Sequence, residues 1–150
     1  MFLIEKWMIF AVAAAILWGS SYAASGPILR AGMSPLIFYF CWSVITLITA
    51  AMALLFGGKG KILIDQLRAV GGHTGWFVFS LVAASVGALL TYMAIGEKNP
   101  TLASIIEISY PLFVVIFTWL FFQEFQLNAM TCLGAFFVLF GVMLILKYAP

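Results

Sequence analysis

The sequence predicts an all-helical integral membrane protein of five transmembrane helices, and three observations carry that prediction. The first is composition: 65% of the 150 residues are hydrophobic and 8% are charged, against roughly 45–50% and about 25% in soluble domains. A water-exposed fold would lack the polar residues to cover its surface. The second is segmental. Apolar runs of about 20 residues, the length needed to cross the hydrocarbon of a bilayer, cover 7–29, 35–56, 76–95, 101–122 and 128–146. The third is that most connections between the runs are short and carry loop punctuation, which makes successive helices antiparallel neighbours. Residues 1–150 therefore read as one multi-pass transmembrane domain, expected in the cell membrane, plasma or inner, with the lipid bilayer as its surroundings. The formal net charge of +2 is spread over short connections and forms no basic patch of the kind a nucleic-acid binder needs, so nucleic acid is not expected as a partner.

The first run follows a single Lys6, and small residues at Ser21 and Ala23 resemble a signal-peptide cleavage site. It continues through Leu29, beyond the apolar core of about 7–15 residues in a signal peptide, and so reads as a span. Its small and polar face holds Ala11, Ala14, Ala15, Trp18, Ser21, Tyr22 and Ser25. Arg30-Ala31-Gly32 leads to Pro35, which opens the second span; there Tyr39, Trp42, Ser43 and Thr46 share a face. The one long connection, 57–75, sets Ile62, Leu63, Leu67 and Val70 around Asp65, Gln66 and Arg68, the spacing of one or two helical turns lying at the membrane surface. His73, isolated among glycines, reads as a solvated loop residue. In the third span Ser80, Ala84, Gly87 and Thr91 share a face, with Tyr92 at its edge. Cys41 and Cys132 both fall inside spans, where a free cysteine behaves as a small hydrophobe.

Glu97-Lys98-Asn99-Pro100 leads into the fourth span, which carries Glu107 about a third of the way along an otherwise apolar stretch. Burying a charge in hydrocarbon is expensive, so an ionisable residue at that depth is by default a functional-site hypothesis. At about 100° per residue, Ala103, Ser104, Glu107, Tyr110, Pro111, Val114 and Thr118 fall on one face, and Ile105, Ile108, Leu112, Ile116 and Trp119 on the other. The acid should point into the protein. Pro111, four residues on, has no N–H for the Glu107 carbonyl, which predicts a kink at that place. The connection from Gln123 to Leu127 leads to the fifth span, which has no acid or base between Asn128 and Leu146. Its signal is Gly134 and Gly141, two turns apart on one side of the helix, a groove for close packing within the chain or between subunits.

Orientation follows Lys and Arg in short loops, and here one side holds Lys6, Lys59, Lys61 and Arg68 while the other holds Arg30, Lys98 and Lys147. Four against three is compatible with insertion in both orientations as well as in one.

Leu17-Trp18-Gly19-Ser20-Ser21, Pro35, the stretch from Ala103-Ser104 to Tyr110-Pro111-Leu112-Phe113, Phe121-Phe122-Gln123-Glu124, and Leu133-Gly134-Ala135 to Gly141-Val142 form a pattern that resembles one EamA-type domain of the drug/metabolite transporter superfamily. Most such relatives carry two of these domains in ten spans. The resemblance implies that a lone five-span unit dimerises into an inverted-repeat, ten-helix transporter, because tandem copies of an odd-numbered unit sit in opposite orientations. Relatives usually place an arginine early in the second span, where this chain reads Phe40-Cys41-Trp42; the missing cation argues against an anionic substrate. An acid at the position of Glu107 is not general in the family. It is similar in chemistry to the four-helix small multidrug resistance transporters, in which a membrane-buried glutamate on each of two antiparallel subunits binds protons or a cationic substrate, although on a different helix.

The expectation is a homodimeric secondary transporter, antiparallel if inserted both ways, that exports a small organic substrate in exchange for protons. Glu107 would couple the two, with Ser104 beside it and Trp18, Tyr22, Tyr39, Trp42, Tyr92 and Tyr110 as aromatic walls that attract an organic cation. No catalytic triad, metal-ligand spacing or phosphate loop competes with this reading, so neither enzyme activity, metal nor cofactor is expected. One alternative is a subunit that pairs with a related chain. The other is an accessory membrane protein in which Glu107 only hydrogen-bonds across helices.

Overall fold

The computed structural model describes residues 5–124 and 127–148, so part of the connection read from Gln123 to Leu127 lies outside the described residues. Its helices are α1 (Lys6–Arg30), α2 (Pro35–Phe56), α3 (Leu63–Ala69), α4 (Thr74–Glu97), α5 (Pro100–Glu107), α6 (Tyr110–Phe122) and α7 (Ala129–Tyr148). Short 3-10 turns at Gly60–Ile62 and Gly71–His73 flank α3. Among the described residues there is no strand. Five helical segments are long and apolar enough to cross a membrane, with α5 and α6 together forming the fourth.

Local chemistry sets the ends. Gly32 takes φ +99° after α1, a left-handed conformation that glycine adopts without steric cost, and Pro35 opens α2 at a position that needs no N–H. Asn99 caps α5 by accepting a hydrogen bond from the Leu102 amide at 2.8 Å, with Pro100 in the first turn. Gln123, at φ 57°, stops α6 and donates its amide nitrogen to the Trp119 carbonyl at 2.9 Å. Asn128 and Thr131 cap α7 reciprocally: each backbone amide donates to the other's side-chain oxygen at 2.9 Å. Reciprocal caps of this kind satisfy two otherwise orphaned donors.

Packing is concentrated at one end of the bundle. Contacts join α4 to α1, α2 and α5, and α5 to α1 and α7. The core is Leu29, Tyr92 and Ile95, with Tyr22, Phe38, Tyr39, Trp42 and Ala103 against it. These residues come from the last turns of α1 and α4, the first turns of α2, and α5. That is the end carrying Arg30 and Lys98. Two glycines allow the close approaches there: a Cβ on Gly26 of α1 would lie 2.8 Å from the Pro100 ring, and one on Gly96 of α4 would lie 3.1 Å from the Pro35 ring. Towards the other end Ala11, Ala14, Ala15 and Thr46, expected on inner faces, are exposed in the single chain. There α4 meets α6 through Trp76, whose ring lies 5.2 Å from Phe121 and 5.1 Å from Phe122.

Candidate functional site: a buried carboxylate beside an aromatic cluster

The fourth span is divided one residue past Glu107. Proline at 111 cannot donate to the Glu107 carbonyl, and the chain tightens there: the Ser109 amide donates to the Ile106 carbonyl at 3.1 Å and the Ser109 hydroxyl to the same carbonyl at 2.7 Å. Glu107 is thus the last residue of α5, and Pro111 sits in the first turn of α6. The carboxylate faces α1, where the Tyr22 hydroxyl donates to Glu107 Oε1 at 3.0 Å. Its other oxygen, Oε2, is buried without a hydrogen-bond partner, as is the Tyr92 hydroxyl of α4. Leaving a buried acceptor or donor unpaired costs about 1–3 kcal/mol, so two such atoms beside one acid require an account. No lysine, arginine or histidine occurs inside any span, away from the terminal turns. Within the bilayer the chain itself supplies no counter-cation to Glu107.

Five of the six aromatic residues expected as walls come together. Trp18 lies 5.5 Å from Tyr22 and 6.3 Å from Trp42; Trp42 lies 5.8 Å from Tyr39 and 6.1 Å from Tyr92. Trp18 is 44% exposed in the single chain and forms the outer edge, whereas Tyr92, at 1%, forms the floor. The sixth, Tyr110, is 61% exposed and lies outside the cluster. Pro111 and Val114 are also exposed, while Leu112 and Ile105, expected to face lipid, are half-buried. For Tyr110, Pro111, Leu112 and Val114 the reason is the break. Face assignment at 100° per residue assumes one continuous helix, and the tight turn at Ile108–Ser109 changes the phase of everything after it. Ser104 is half-buried, but its hydroxyl donates to the Thr101 carbonyl of its own helix at 3.0 Å.

The third-span face is also corrected. Ser80, Ala84 and Gly87 are exposed, and the packed face runs through Ala88, Leu89, Tyr92 and Ile95. Tyr92 is at its centre rather than its edge. Ser80 marks the exposed side because its hydroxyl satisfies its own backbone, donating to the Phe77 carbonyl, whereas Thr91, which donates to the Gly87 carbonyl, is half-buried beside Tyr92. Two participants were not singled out in the sequence. Phe38 packs on Tyr92 at 4.8 Å, and Ser85, seven residues before Tyr92 and so on its face, pairs with the Tyr39 hydroxyl. An open recess of about 430 Å³ beside the cluster is bounded by Leu36, Ile37, Tyr39, Phe40 and Ser43. In α7, a Cβ built on Gly134 or Gly141 would meet nothing within 4 Å, so neither glycine serves close packing within the described chain.

Comparison with curated proteins and with solved structures gives no match. The five apolar helices make the chain a multi-pass membrane protein, and its sequence matches the EamA-like transporter family over residues 5–147. With all but the first four and last three residues inside that match, the chain belongs to the EamA-like transporter family.

Proposed function

We propose that the chain works as a homodimeric secondary transporter that exports small organic molecules, organic cations among them, in exchange for protons by alternating access. The observation that carries this reading is Glu107: a carboxylate in the membrane-spanning region with one oxygen unpartnered and no cation of the spans to pair with. Such a group needs an external positive charge. A proton and a cationic substrate each supply one, and because both use the same carboxylate, each displaces the other. Displacement of that kind is exchange. The rings of Trp18, Tyr22 and Trp42, 5.5 and 6.3 Å apart around Trp18, offer faces that attract a cation, and the break after Glu107 gives α5 a joint at which to move relative to α6. Discontinuous membrane helices are a recurrent feature of transporter binding sites.

The test is transport by the reconstituted chain in proteoliposomes carrying a pH gradient, with a panel of aromatic cations. Wild-type protein accumulates at least one of them at the expense of the proton gradient. Glu107→Gln keeps the shape and removes the ionisable group, so it abolishes proton-driven accumulation. If Glu107→Gln moves a cation against its gradient with unchanged pH dependence, the acid is structural. The Tyr22–Glu107 hydrogen bond between α1 and α5 supports that second reading, an accessory membrane protein held together by the acid, and the same experiment separates the two.

A further inference from the structure

We propose that Glu107 and Tyr92, where α1, α4 and α5 meet, recognise a protonated primary or secondary amine through its N–H groups, a substrate class that rests on the exchange reading above. The argument starts from what is already filled. Glu107 Oε1 accepts from Tyr22 at 3.0 Å, whereas Oε2 is buried and unpartnered, and the Tyr92 hydroxyl, with the Ser21 side chain near it, is buried without a hydrogen bond of ordinary geometry. An ionised carboxylate oxygen is an acceptor only, so what Oε2 lacks is a donor. Tyr92 is 1% exposed, and its ring is fixed between Phe38 at 4.8 Å and Trp42 at 6.1 Å. Its hydroxyl is therefore presented from a rigid floor.

Candidate occupants differ in what they bring. A quaternary ammonium carries charge and is attracted to the faces of Trp18 and Trp42, but it has no N–H and leaves Oε2 without a donor. A neutral alcohol has a donor and no charge. A divalent metal ion takes six or more oxygen ligands in the calcium case and near-ideal octahedral geometry in the magnesium case, and one carboxylate flanked by tyrosines does not provide that set. An ammonium group with at least one N–H brings both charge and donor, and its hydrocarbon part meets the aromatic rings. A site built to hydrogen-bond an N–H rejects the analogue that lacks it, because the site's own buried polar atoms are then left unpaired.

The experiment compares 2-phenylethylamine with its N,N,N-trimethyl derivative, which share the ring and the charge at pH 7. Binding to purified full-length protein is measured by calorimetry, and proton movement by a pH dye in proteoliposomes. The primary amine is expected to bind roughly tenfold to a hundredfold tighter, the effect of leaving one buried acceptor unfilled. Tyr92→Phe, which keeps the ring and removes the hydroxyl, narrows that ratio several-fold. Equal or tighter binding of the trimethyl compound, absence of binding by both, or a ratio unchanged in Tyr92→Phe overturns the proposal; a buried water filling both positions would give the first of these results. Preferential amine binding without proton movement supports amine recognition and sinks the exchange reading. Proton-coupled transport of both compounds with no preference does the reverse.

Discussion

Gly26 is the position where one added methyl group tests the architecture of the site. A Cβ there would fall 2.8 Å from Pro100 Cγ and 3.0 Å from Pro100 Cδ, distances that require a rigid ring or a helix to move. Overpacking of this kind costs about 1–3 kcal/mol. Alanine also gains up to about 1 kcal/mol of helix propensity over glycine, which would obscure the cost. Gly19 on the same helix supplies the control, because a Cβ there meets nothing within 4 Å. Gly26 also precedes Pro27, whose ring disfavours a helical residue with a Cβ before it, so Gly26→Ala should be less stable than Gly19→Ala by at least about 1–3 kcal/mol. That is roughly a five- to 150-fold difference in the folding equilibrium, readable as a lower unfolding midpoint in mixed micelles titrated with SDS. Adding Pro100→Ala removes the ring atoms, and the double variant should recover the part of the loss due to Pro100 as a coupling term in a double-mutant cycle. Gly26→Ala as stable as Gly19→Ala, or no coupling to Pro100, refutes the close approach. The contact matters for the site because Gly26 and Tyr22 are one turn apart on α1, while Pro100 and Glu107 are two turns apart on α5. The same pair of faces therefore holds both contacts.

Reporters on the C-terminus active on opposite sides of the membrane should both give signal, given the four-to-three division of Lys and Arg, and moving Lys59 and Lys61 to the other side should bias it; signal from one side only, unaffected by such changes, removes the antiparallel homodimer. Replacing Gly134 and Gly141 together with Leu should dissociate the dimer in detergent while leaving folded monomers, since among the described residues a Cβ at either position meets nothing within 4 Å beyond its own helix; a double variant that stays dimeric and active assigns the glycines to something else. Glu107→Asp should retain part of the proton-coupled transport with a shifted pH optimum, whereas transport equal to wild type at every pH would contradict coupling through this carboxylate.

The spans were legible because burial in lipid and burial in protein both demand apolar residues, so length and composition mark a membrane helix wherever it packs. The same physics hid the faces. In water a helix shows its inner side by contrast with a charged outer side, but in hydrocarbon the lipid-facing side is as apolar as the core. Hydroxyl and small residues then become the only markers, and they mislead when a hydroxyl bonds to its own helix and faces outward, as Ser80 does. Glu107 was legible as the only acid in the interior of a span, and its neighbours on α1 and α2 followed from aromatic residues at Trp18, Tyr22, Tyr39 and Trp42. Tyr110 did not follow. One turn of tightened backbone between Glu107 and Tyr110 put it on another side, and a proline signals that such a turn exists without fixing how far it rotates the chain beyond.

The uneven packing has a mechanical consequence for the proposed pair. The contacts of α4 with α1, α2 and α5 gather at the end carrying Arg30 and Lys98, so each copy has a consolidated half and a looser half, and Glu107 ends α5 within the consolidated one. Two copies inserted in opposite orientations would set the consolidated half of one beside the looser half of the other, at both membrane faces. Opening one face would then be a rearrangement of the looser helices of one copy against the firm end of its partner, and the symmetric motion would open the opposite face. That is the geometry of inverted-repeat transport, and it requires that helix faces left bare in the single chain be covered by the second copy. Gly134 and Gly141, open to close approach along α7, are where such a covering helix could come nearest.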